Sequence, residues 1–304
     1  MSVQSNAVPE SPLDSPGIAP AALSATRPLY WSVRRELWEN RSIYIAPLAV
    51  AAVVLFGFLI ATIGRAMATV DSVRKAAVLA EPSSFASGLI MATAFIVGVF
   101  YSLEALHSER RDRSILFWKS LPVSDLTTVL SKASIPIVIL PLLTFAIIVA
   151  TQMIMAVLSM VVLLGSGLSV APLWHLPFGQ MSLGLLYHLL SVHALWHAPI
   201  YGWLLLVSGW ARRAAFLWAV LPLLAIGVVE KIAFRSSHFV HWLGYRLGGP
   251  ESLAFTARGS APMGPMTTLA PEQFLSAPGL WIGLLFAAAC LAAAARVRRY
   301  REPI

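Results

Sequence analysis

Three histidines, His188, His193 and His197, have spacing that could do chemistry. His193 and His197 stand four apart and so share one helix face, where two imidazoles can take a metal ion or a haem. A hydrolytic zinc helix also needs a Glu between them, as in H-E-x-x-H, whereas the intervening residues are Ala194, Leu195 and Trp196. No Cys or Asp lies nearby, and Trp196 with Tyr201 reads as an aromatic belt at a membrane interface. Interfacial or pore-lining histidines are the stronger reading, and no metal is expected. The single cysteine, Cys290, sits in an Ala/Leu run and can form neither an intrachain disulfide nor a thiolate metal site. No G-x-x-x-x-G-K-[ST] loop occurs, so the chain is not expected to hydrolyse a nucleotide or to be an enzyme. Glu104 and Glu230 fall at the ends of apolar windows and no Asp falls inside one, which leaves coupling to an ion gradient poorly supported.

The elements that must position these residues are membrane spans. Of the 304 residues, 58% are hydrophobic and 12% charged, against about 45–50% and about 25% in soluble domains. Mean hydropathy is +0.76, and no charged residue occurs from Ala133 through Ala211. Polar sequence is too scarce to cover a soluble surface. The net charge of +8 therefore reads as topology rather than as a nucleic-acid surface, and no nucleic-acid partner is expected.

Residues 1–28, rich in Pro, Ser and Ala, read as a disordered cytoplasmic tail without a secretory leader's apolar core. Residues 29–42 fit a short amphipathic interfacial helix, with Tyr30, Trp31, Leu37 and Trp38 at headgroup depth and Arg34, Arg35 and Arg41 toward lipid phosphates. The remainder, 43–304, reads as a six-span domain with uncharged windows at about 43–64, 85–103, 133–164, 184–210, 214–230 and 279–295. Pro136 and Pro141 predict a bend near the inner end of the third span, and Pro199 and Gly202 one in the fourth. With six spans, fifteen Lys and Arg fall on the side holding both ends of the chain and seven on the other, so both termini are expected in the cytoplasm.

The loop from Glu104 to Lys132 is the densest in information. A charge cluster, Glu109, Arg110, Arg111, Asp112 and Arg113, precedes an apolar knot, Ile115, Leu116, Phe117 and Trp118. Leu121-Pro122 then stops the segment, and Ser124 or Asp125 can cap the helix leading into the third span. A short helix with an aromatic knob can dock in a partner's groove, and an ordinary solvated loop obeying the positive-inside rule is equally compatible with the spacing.

This loop resembles that of ATP-binding-cassette type-2 permeases, the membrane subunits of bacterial exporters. The family's Glu-Arg pair, small-Thr-Leu element, Leu-Pro-Val-Ser step and Gly-Lys pair match Glu109-Arg110, Ser114-Ile115-Leu116, Leu121-Pro122-Val123-Ser124 and Ser131-Lys132. Ile115 replaces the usual Thr and Ser131 the usual Gly. The resemblance implies an all-α integral membrane protein with six transmembrane helices, an interfacial N-terminal helix, a cytoplasmic coupling helix and an outer re-entrant segment before the last span. It implies a coupling loop built from Glu109, Arg110, Arg113, Ile115, Leu116, Phe117, Trp118, Leu121 and Pro122 that contacts a separate ABC ATPase subunit carrying ATP and Mg. It also implies a second permease subunit, contact with membrane lipids, and residence in the bacterial plasma (inner) membrane. The competing readings are an intramembrane His-dependent enzyme and a non-transporting membrane assembly factor.

Overall fold

The computed structural model describes residues 26–66, 72–112, 114, 123–165, 178–249, 255–257, 267–269 and 271–300. Helix α1 (Thr26–Glu39) ends where Asn40 donates through Nδ2 to the Glu36 carbonyl, and α2 (Ser42–Ala66) follows directly. A long α3 (Ser72–Glu104) leads to the short α4 (His107–Arg111). Helix α5 (Asp125–Ser134) continues through a π-helical turn, Ile135–Ile139, into α6 (Leu140–Gly165). Next come α7 (Phe178–His188), a second π segment (Leu189–Trp196) and α8 (Ala198–Trp210). Helices α9 (Ala215–Phe234) and α10 (His238–Gly248) precede a small antiparallel pair, β1 (Phe255–Ala257) and β2 (Thr267–Leu269), with Phe255 opposite Leu269. The short α11 (Pro271–Ser276) and the long α12 (Pro278–Tyr300) complete the described chain.

Among the described residues, five helical stretches are long and apolar enough to cross a membrane: Ser42–Thr62, Ser83–Arg111, Asp125–Gly165, Ala215–Phe234 and Pro278–Tyr300. The pair Phe178–Trp196 and Ala198–Trp210, bent by 43°, makes a sixth if it is one broken span. Large side chains such as Val53, Phe56, Ile232 and Leu285 stand bare on the outside of the bundle, as lipid-facing residues do. The architecture fits a multi-pass membrane protein.

The helices overrun the windows expected from hydropathy at their polar ends. The third stretch begins at Asp125, where Ser124 is the cap and its Oγ accepts from Thr127 N at 3.0 Å. The helix backbone satisfies itself beyond the apolar run, so charge alone does not end it. Pro136 has no N–H to give and its ring crowds the preceding turn, and the chain answers with the wider π turn rather than a break. In the fourth stretch the bend falls at His197, just ahead of Pro199 at the start of α8. Gly202 has a different task. A Cβ there would lie 3.1 Å from Ala287 Cα, so glycine lets α8 and α12 touch backbone to backbone.

The core is a set of small apolar clusters between these helices. Ile43, Ala94, Tyr101, Ala133, Ile135, Leu140 and Leu205 form one near the end of the bundle that holds α1, and Ala51, Ile90, Ile148, Leu185 and Leu189 another. The 166–177 connection and most of the 250–270 stretch, which contain the expected outer loops, lie outside the described residues, as do residues 1–25.

Candidate functional site

The helix ends at one end of the bundle converge on a buried ionic cluster. Its first carboxylate, Glu36 on α1, turns inward because it occupies the helix face opposite the exposed Trp31, Arg34 and Trp38. Tyr101 Oη donates to Glu36 Oε2 at 2.9 Å and Lys132 Nζ to Glu36 Oε1 at 2.7 Å. The second carboxylate, Glu109 on α4, collects cations from three other elements. Lys132 Nζ of α5 lies 3.1 Å and Arg35 Nη2 of α1 lies 3.2 Å from its Oε1, and Arg298 Nη2 of α12 lies 3.1 Å from its Oε2. The Arg298 contact lacks hydrogen-bond alignment and is an ionic one. Arg298 also sits 3.6 Å from Asp125, and Arg35 is shared with Glu39 at 2.8 Å.

Glu109 and Lys132 are 5% and 2% exposed, so water cannot screen them. Ions taken out of water survive only when paired and hydrogen-bonded, a condition met by two buried carboxylates facing the buried Lys132 and Arg298. Such a cluster is costly to break at any one member, which makes it a rigid joint between α1, α4, α5 and α12.

A second set of contacts clamps α4 to the end of α8. Ser208 Oγ accepts from the backbone N–H groups of Leu106 and His107, each at 2.9 Å. Arg110, 4% exposed, donates through Nη1 to the carbonyls of Gly209 at 2.9 Å and Ala211 at 3.3 Å. These are the last carbonyls of a helix, where partial negative charge favours a cation.

Of the coupling-loop residues expected from sequence, Glu109 and Arg110 are thus built into the protein's own interior. Arg113, Ile115, Leu116, Phe117, Trp118, Leu121 and Pro122 lie outside the described residues. On α1, Trp31 and Arg34 stay exposed with the guanidinium 5.3 Å from the indole centroid, and Trp38 is 71% exposed. Arg35, grouped with them by its charge, points instead into the cluster.

Glu36, Tyr101, Lys132, Ser208 and Arg298 were not singled out as site residues by sequence reasoning. A signal for Arg298 was present: Gly283, Ala287, Cys290, Ala294 and Arg298 recur at helical spacing and share the buried face of α12. The basic run around it, Arg296 to Arg301, has by type alone the look of an anchor at anionic lipid.

The histidines lie near the middle of the fourth stretch. The rings of His188 and His193 are 5.7 Å apart and those of His193 and His197 5.5 Å, the first pair brought together because the π segment stacks residues five apart. His197 Nε2 contacts the Leu247 carbonyl at 3.1 Å, and its ring packs on Phe95. Among the described residues no group of three or more His, Cys, Asp or Glu side chains is placed to hold a metal ion.

Next to His197, α10 inserts Arg246 into the bundle. Its guanidinium lies 4.3 Å from the Trp196 ring centroid, and Nη2 donates to Gly279 O at 3.3 Å. Burial pulls this guanidinium's proton affinity down from its usual value, with Tyr245 opposing the shift.

No protein-family model matches this chain, and neither the curated proteins nor the solved structures contain a match.

Proposed function

We propose that the chain is the permease subunit of an ABC exporter, with a separate ATPase subunit docking on the loop between the second and third spans. The observation that carries this reading is the seating of α4. The base of that loop is locked by Glu109 to α1, α5 and α12 and by Arg110 to α8. A push on the loop is therefore delivered to four helices at once instead of being absorbed locally. The motif match at Glu109-Arg110 and Leu121-Pro122-Val123-Ser124 supports the same assignment, as does the lack of a phosphate-binding loop in a chain with no other evident energy source.

In this reading the bent pair is one span, which makes six, and both termini lie in the cytoplasm of a bacterial cell whose plasma membrane holds the protein. Ile115 to Trp118 are the residues that contact the ATPase, and Glu109 and Arg110 fix the described start of their loop to the bundle. ATP and Mg bind the partner subunit. A second permease subunit completes the path, and Trp31, Arg34 and Trp38 rest on lipid headgroups.

The test is purification of the full-length chain from membranes of its own cells, followed by assay of the eluate for ATP hydrolysis and for a co-eluting polypeptide with a G-x-x-x-x-G-K-[ST] loop. The ATPase should co-elute with the wild-type chain and be lost from the Phe117→Ala/Trp118→Ala variant. Retention of both association and transport by that variant would refute the coupling assignment.

A further inference from the structure

The two π segments, Ile135–Ile139 and Leu189–Trp196, touch each other inside the bundle and share a narrow pocket of about 10 Å³. Pro136, Pro141, Thr144, Leu189, His193 and Tyr201 are among the residues that line it. We infer that this pocket is a binding site for a single water molecule held between Tyr201 and His193.

Three observations lead there. The volume of about 10 Å³ is the least that one buried water needs. The lining supplies the two to four polar partners such a water requires. Among the described residues Tyr201 and His193 have ring contacts only, Tyr201 with Phe95 and His193 with His188 and His197, so the hydroxyl and the imidazole are both open to a ligand. Thr144 Oγ1 donates to Leu140 O at 2.7 Å and keeps its lone pairs to accept from the same water. The third observation is the backbone itself. Helical irregularity at membrane depth is tolerated where it is buried in protein or lines a hydrated cavity, and here two irregular turns from different spans face one pocket. The water joins α8 to the π segment before it and to α6.

Sign distinguishes a wet pocket from a dry one. In a dry pocket the Tyr201 hydroxyl is a buried polar group with no partner, and removing it relieves a penalty. In a hydrated one its removal strips the water of a partner. The experiment is thermal unfolding of the full-length chain in lipid nanodiscs, comparing wild type with Tyr201→Phe, together with pulsed hydroxyl-radical labelling in ¹⁸O water. Tyr201→Phe should lower Tm by about 2–4 °C. Tyr201 should incorporate ¹⁸O in the wild type and lose that label in Ala94→Val, where the added methyls fill the pocket. A Tm for Tyr201→Phe at or above wild type, or no label on Tyr201 in the wild type, overturns the site.

Discussion

Lys132 and Glu36 form a 2.7 Å ion pair with both side chains buried, and this contact fastens the start of the third span to the helix ahead of the first. The same ammonium reaches Glu109 at 3.1 Å, so one cation serves two carboxylates from different elements. Losing Glu36 leaves Lys132 with Glu109 as its remaining carboxylate, and losing Lys132 leaves Glu36 facing Arg35 at 3.6 Å, so each single change weakens the compensation of a buried charge.

Glu36→Leu should therefore destabilise the chain by about 1.5–3 kcal/mol, while Glu36→Leu combined with Lys132→Met should cost less than the two single substitutions added together. Thermal unfolding in detergent, run as a double-mutant cycle, measures the coupling. Additive effects of the two substitutions would mean that the pair does not act as a unit.

One nitrogen of Arg110, Nη1, meets the carbonyls of both Gly209 and Ala211 at the end of α8. Arg110→Met should cost about 1.5–3 kcal/mol and should accelerate protease cleavage in the 112–124 stretch, because α4 loses part of its clamp. Limited proteolysis followed by mass spectrometry locates the cut. An unchanged cleavage rate would argue that the Ser208 contacts alone hold α4.

Gly283 accommodates Arg246: a Cβ at that position would overlap the Arg246 Nη2 atom and come within 2.7 Å of its Cζ. Gly283→Ala should displace the guanidinium from Trp196 and cost about 1–3 kcal/mol. Because both substitutions attack one contact, Gly283→Ala added to Arg246→Ala should cost little more than Arg246→Ala alone. Strict additivity in unfolding measurements would contradict this arrangement.

Cys290 is the single cysteine and is buried on α12, so Cys290→Ala gives a thiol-free background. In that background, Arg212→Cys should react with a membrane-impermeant maleimide only after permeabilisation, whereas His238→Cys should react in intact cells. The opposite pattern would reverse the orientation assigned from the Lys and Arg distribution.

Much of the helical order was legible in the sequence because long uncharged windows admit few alternatives: helices cover the windows at 43–64, 133–164 and 279–295. The signal weakened wherever backbone and side chain disagree. Lys132 and Glu109 look like surface residues by type, and only tertiary contacts from α1 and α12 make them interior. Arg35 was grouped with the lipid-facing Arg34 by charge, although one step along a helix turns a side chain by about 100°. The π segments were invisible because a π turn depends on how a neighbouring helix receives a displaced proline, and Pro136 alone predicts only a bend. The three histidines were found by spacing, but the five-residue step that brings His188 toward His193 rests on the second π segment, Leu189–Trp196, which contains no proline to signal it.

The place of Arg298 in the ionic cluster bears on how the protein is made. Ribosomal synthesis delivers Glu36, Glu109 and Lys132 to the membrane before α12 exists, and until its last turn arrives Glu109 Oε2 lacks the cation that meets it. The nascent protein thus carries Glu109 without its Arg298 partner through most of translation, held by Lys132 and Arg35 alone among the contacts described. Seating of the final helix is what completes the cluster.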